Sequence, residues 1–239
     1  MKNRFMGNKA AFWLLAVLIA GVSDASAESD HHSDHHSDKG EKSIDYDEMV
    51  LIPAGKFIFG KDDNKQELNL PAFKIDKYEV TNKQFAKFNL DHQYTPGMAD
   101  FPATMVSFND ATDHCAALEK RLPTEQEWEK AARGTDGRVY SWGNEFDVTA
   151  GVYKDSDFEG HPPQKLKVGT HPKGQSPYGA MDMSGNVWEW TNTYEDRYAI
   201  LKGGSFFEEG WTAKTTSRLR SIPNDSKDYA GFRCAKNVK

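Results

Sequence analysis

The sequence predicts an α+β fold with few helices and heavy loop content. Capped helical stretches crowd between residues 81 and 134, and short apolar runs bounded by turn residues flank them. Beyond residue 134 the helical period stops, and the chain turns to Gly, Pro, Asp, Asn and aromatic residues. A chain of 239 residues with 38% hydrophobic and 12% aromatic residues has enough material for a full core. Its 30 Lys+Arg against 36 Asp+Glu give a net charge of -6. That balance excludes a nucleic-acid binder and a polybasic membrane-surface protein, since both need a basic face. Two cysteines rule out a disulfide-dense miniprotein and a four-cysteine zinc site.

The elements follow in order. Residues 49–60 read as two short strands around a Pro53-Ala54-Gly55 turn, and residues 73–78 alternate as a third strand. Thr81 is the expected N-cap of a short helix with Phe85 and Phe88 on one face. Ser107 caps a second helix whose apolar stripe is Phe108, Ala111, Cys115 and Leu118. Thr124 to Glu127 form a capping box for a third helix, with Trp128, Ala131 and Ala132 inward and Gly134 as its C-cap. Residues 187–190, 199–201 and 231–234 read as strands between long loops.

Residues 1–27 read as a signal peptide. Lys2, Arg4 and Lys9 precede an apolar run at residues 10–22 and a small-x-small site at Ala25-Ser26-Ala27. The run is shorter than the roughly 17–25 residues that span a bilayer, so no membrane span is expected after cleavage. A periplasmic or secreted protein follows. In that compartment an isolated cysteine pair usually bonds, so a Cys115 to Cys234 disulfide is expected, with two free thiols as the alternative. Residues 28–47 read as a disordered tail around a duplicated His-His-Ser-Asp. There His31, His32, His35 and His36 suit zinc, copper or nickel, and the same composition suits a plain solvated linker. A folded domain is expected over residues 48–239.

Several ordered motifs carry a resemblance. They are Met49-Val50-Leu51-Ile52-Pro53-Ala54-Gly55, Ile75-Asp76-Lys77-Tyr78-Glu79-Val80-Thr81-Asn82 and Arg121-Leu122-Pro123-Thr124-Glu125-Gln126-Glu127-Trp128-Glu129. Trp142-Gly143-Asn144, Asp182-Met183-Ser184-Gly185-Asn186-Val187-Trp188-Glu189-Trp190, Lys202-Gly203-Gly204-Ser205-Phe206 and Gly231-Phe232-Arg233-Cys234-Ala235 complete the set. The string resembles the formylglycine-generating enzyme, or sulfatase-modifying factor, domain over residues 49–236. The resemblance implies a variant C-type-lectin-like fold with little regular secondary structure, and it matches the family's disulfide cysteines to Cys115 and Cys234. It also implies an oxidase that converts a sulfatase cysteine to formylglycine with oxygen and copper held by two thiolates. Those positions fall near Glu208 and near Ala213 or Thr212, so copper at the family site and formylglycine-generating activity are not expected.

Calcium is the expected cofactor, because the family's ligands fall on Asp182, Gly185, Val187 and Glu189. A remodelled cleft is expected to gather Glu208, Glu209, Trp211, Arg218 and Arg220. Three functions compete. The favoured one is an exported, calcium-braced binding or accessory module for a peptide, glycan or protein ligand. An oxidoreductase of the formylglycine-generating or siderophore-maturation type with a remodelled site is the second. A metal-handling protein acting through the His-rich tail is the third.

Overall fold

A computed structural model describes residues 44–238, so the expected signal peptide and the four tail histidines lie outside the described residues. The three helices form where local capping chemistry starts them. Helix α1 (Asn82–Phe88) begins at Thr81, whose hydroxyl accepts from the Gln84 N–H while the Gln84 side chain accepts from the Thr81 N–H. Helix α2 (Phe108–Ala117) has the same reciprocal box between Ser107 and Asp110, and α3 (Glu125–Arg133) has it between Thr124 and Glu127. Each box satisfies two otherwise orphaned N–H groups. Gly134, at φ 70°, ends α3. The expected α2 stripe runs one residue too far: Leu118 lies past the last turn and is 49% exposed.

Strands β1 (Met49–Ile52) and β2 (Gly55–Phe59) flank the Pro-Ala turn but do not pair with each other. β1 runs antiparallel to β4 (Phe73–Asp76), and β2 forms a hairpin with β3 (Gln66–Leu70), a polar strand that hydropathy did not reveal. Strand β5 (Trp188–Glu195) and β6 (Tyr198–Lys202) form the centre of a four-stranded sheet, ordered β7-β6-β5-β8. Its edges are β7 (Arg218–Ser221), also unforeseen, and β8 (Ala230–Gly231), the latter parallel to β5. Of the expected strand at residues 231–234 only Gly231 is in a strand, at the end of β8. Phe232 and Cys234 are tied by single bonds from Val80 and Asp76, and pairing resumes at β9 (Ala235–Asn237) against β4.

One core cluster packs α2 and Phe85 against Trp188, Trp190, Leu201 and Phe232, and a second packs α3 against Ile52, Phe73 and Ile75. The expected disulfide is present: Cys115 of α2 joins Cys234 just before β9, with a Cα–Cα distance of 5.7 Å. The two cysteines are 119 residues apart, and closing so long a loop stabilises by roughly 4–5 kcal/mol in the chain-entropy account. Packing starts before residue 48, because Tyr46 lies edge-on to Tyr78 and its carbonyl accepts from Gln84. No helix among the described residues is long and apolar enough to cross a membrane.

Candidate functional site

The loop that follows β6 carries the positions expected for two thiolates. Gly203 and Gly204 have φ 103° and 82°, and a Cβ on Gly204 would lie 2.9 Å from Ala213. Glycine therefore lets the loop fold back so that Ala213, 1% exposed, packs against it. Ser205 is fully buried. The Glu208 carboxylate accepts from Trp188 Nε1 at 3.0 Å, from Ser205 N at 3.1 Å and from Ser205 Oγ at 2.5 Å. One thiolate position thus holds a hydrogen-bonded carboxylate and the other a buried methyl group. Both cysteines of the chain are in the disulfide, so no thiolate remains to hold copper.

Glu209 and Trp211 lie on the same loop. Glu209 is exposed opposite Lys154, and Trp211 is 59% exposed while its carbonyl accepts from the Tyr140 hydroxyl. Phe207, 62% exposed, stacks on Tyr229. A cleft of about 410 Å³ lined by Asn82, His92, Tyr94, Met98, Lys165 and Asp228 adjoins a smaller one reaching Phe206. Arg218 and Arg220 do not join this group as expected. Both stand on β7, where Arg218 pairs with Glu125 and Glu195, and Arg220 with Glu195 and Asp196.

The loop before β5 and the start of that strand hold the four residues expected to bind calcium. Asp182, Gly185 and Asn186 have φ 59°, 107° and 60°. At Gly185 a Cβ would come within 2.5 Å of the Tyr153 ring, so only glycine fits. Glu189, the fourth expected ligand, stands on β5. It is fully buried and its carboxylate is already engaged: Oε2 accepts from Trp128 Nε1 at 2.8 Å and Arg233 Nε at 2.7 Å, and Oε1 accepts from Arg233 Nη2 at 2.8 Å. Oε1 takes a single donor, so the carboxylate keeps acceptor capacity beside Arg233. Asp182 Oδ2 accepts from the Gly169 N–H, and burial raises its pKa to about 6.

Sequence reasoning missed a third carboxylate here. Glu79 is 1% exposed; its Oε2 accepts from Asn186 Nδ2, and its Oε1 has no partner. Burial, then the nearby charges of Asp182 and Glu189, push its pKa well up. The available signal was a charge set inside the apolar run Tyr78-Glu79-Val80. Glu79, Asp182 and Glu189 therefore face one cation, Arg233. A surplus of buried negative charge with an orphaned oxygen fits a divalent cation. The fit is one of charge: no group of three His, Cys, Asp or Glu side chains among the described residues has metal-holding geometry.

Residues 35–238 match the sulfatase-modifying factor enzyme 1-like domain. The chain belongs to this family. It is 30% identical over 270 residues to inactive C-alpha-formylglycine-generating enzyme 2 of Bos taurus, covering 80% of this chain and 88% of that protein. It is 28% identical to the formylglycine-generating enzyme of Bos taurus, covering 78% of this chain and 74% of that one. Uncharacterized protein YfmG of Bacillus subtilis (strain 168) is 31% identical, and this chain spans 55% of its length. Among solved structures, PvdO from Pseudomonas aeruginosa superposes with a TM-score of 0.66 at 22% identity, covering 80% of this chain and 94% of that one. Treponema denticola variable protein 1 does so at 0.66 and 19%, covering 80% and 95%. The fold is thus the family's C-type-lectin-like variant. The formylglycine-generating enzyme and the relative named inactive are about equally similar to this chain, so function rests on the site itself.

Proposed function

We propose that this protein is an exported, non-catalytic member of the family that acts as a cation-braced binding or accessory module. The observation that carries this reading is the loop after β6, where Glu208 and Ala213 or Thr212 occupy the expected thiolate positions and neither cysteine is free. Without soft ligands the site has no means of holding Cu(I). The exposed Phe207 and Trp211 beside that loop supply a surface for a peptide, glycan or protein ligand. Export is supported by the closed disulfide, which persists in oxidising compartments. The bracing cation is calcium, taken by the Asp182 and Glu189 carboxylates and the Gly185 and Val187 carbonyls. Copper-loaded protein incubated with a sulfatase-motif cysteine peptide should give no formylglycine by mass spectrometry. An aldehyde product above a no-protein control overturns the reading.

A further inference from the structure

Three donors converge on one carboxylate in the loop after β6, and the residues that supply them are buried. Trp188 is 7% exposed and Ser205 is fully buried, so both donors rely on Glu208 as their partner. Both are held in place. Trp188 opens β5, with its N–H bonded to the Tyr229 carbonyl, and Ser205 follows the Gly-Gly bend. Ser205 Oγ also accepts from the Phe207 N–H at 3.2 Å, which leaves its proton directed at Glu208. The acceptor is pinned too, since the Glu208 carbonyl accepts from the Lys154 N–H. One carboxylate oxygen takes the indole N–H, and the other takes the hydroxyl and the amide N–H. No Lys or Arg pairs with Glu208 among the described residues; its charge is met by neutral donors alone.

We propose that Trp188 and Ser205 form a carboxylate-binding cradle whose occupant is this chain's own Glu208. The donors are arranged for a planar anion with two oxygens, and the chain supplies that anion in place of a ligand from outside. Glu208 closes the cradle, and its removal opens a site for a small carboxylate such as formate or acetate. This goes beyond the non-catalytic reading, because the formylglycine assay does not report on it.

The test uses the full chain. Glu208→Ala should lower the melting midpoint by about 4–8 °C through the loss of charge-assisted hydrogen bonds. Sodium formate or acetate should restore most of that loss saturably, with ionic strength held constant by sodium methanesulfonate. The native chain should show no such response, and Trp188→Phe in the Glu208→Ala background should abolish it. A response of Glu208→Ala no larger than that of the native chain overturns the cradle, as does a rescue that survives Trp188→Phe. Glu208→Gln provides an independent reading should Glu208→Ala fail to fold. The Trp188 indole N–H proton, assigned by its loss in Trp188→Phe, should move upfield as an amide oxygen replaces the carboxylate. An unmoved resonance also overturns the proposal.

Discussion

Two clusters of buried carboxylates in this molecule end differently. Around α3, Glu125 and Glu129 meet Lys202 at 3.3 and 3.0 Å, Arg133 at 2.8 Å and Arg218 at 2.7 Å. Every acid there has a cation and the charges close within the chain. Around the loop before β5, Glu79, Asp182 and Glu189 share Arg233, and Glu79 Oε1 has no partner at all. The difference separates a finished ion network from one that needs a cation or protons to complete it, since an uncompensated buried charge costs several kcal/mol.

The largest expected effect comes from Arg233→Met. It removes the lone guanidinium from three buried carboxylates and should cost about 3–5 kcal/mol in urea unfolding, or prevent folding. A loss under about 1 kcal/mol would break the comparison, because it would place the cluster in water. Calcium comes next. Binding to the native state alone raises stability by RT ln(1 + [L]/Kd), about 2.7 kcal/mol at a hundredfold excess over Kd. Chelator should lower the melting midpoint and calcium restore it in the native chain, and Asp182→Ala and Glu79→Gln should lose the response. Indifference of the native chain to both additions leaves protons as the compensating charge.

His114 tests the same rule from the cationic side. It is 3% exposed between Phe85, Phe88 and Phe232, its Nδ1 has no partner, and its pKa falls to about 4 through burial first and then Lys120, with Asp47 opposing. The unfolded chain binds this proton near pH 6.5 and the folded chain only near 4, so stability is full above 6.5 and falls as pH drops between them. The loss should be roughly 2–3 kcal/mol, seen in urea titrations at stepped pH, and His114→Phe should flatten it. An unchanged slope in that variant assigns the titration elsewhere. The smallest effect belongs to Arg218→Ala. Its side chain is 43% exposed, so solvent screens its pair with Glu125 and the change should stay under about 1 kcal/mol, with the calcium response intact.

The parts legible in the sequence are those set by neighbours three or four residues apart. Thr81, Ser107 and Thr124 start their helices where expected, because a cap and its N3 partner lie in one turn. Strands β3 and β7 were not legible. Gln66 to Leu70 and Arg218 to Ser221 are polar edge segments whose pairing depends on a partner elsewhere in the chain. In the site, the Glu208 and Ala213 positions were legible from the motif, and their consequence was not. Trp188, twenty residues from Glu208, turns that carboxylate into the occupant of a cradle.

By itself the sequence determined the α+β class, the helix caps and the lack of cysteines at the expected thiolate positions, while the structure closed the cysteine pair that the sequence left open to two free thiols. Only the tertiary structure decided which carboxylates are spoken for. Glu189 pairs with Arg233, 44 residues away, and Glu79 meets Asn186 at a separation of 107. The physical reason is that charge compensation acts through space at about 3 Å in a dry interior, where chain distance carries no information.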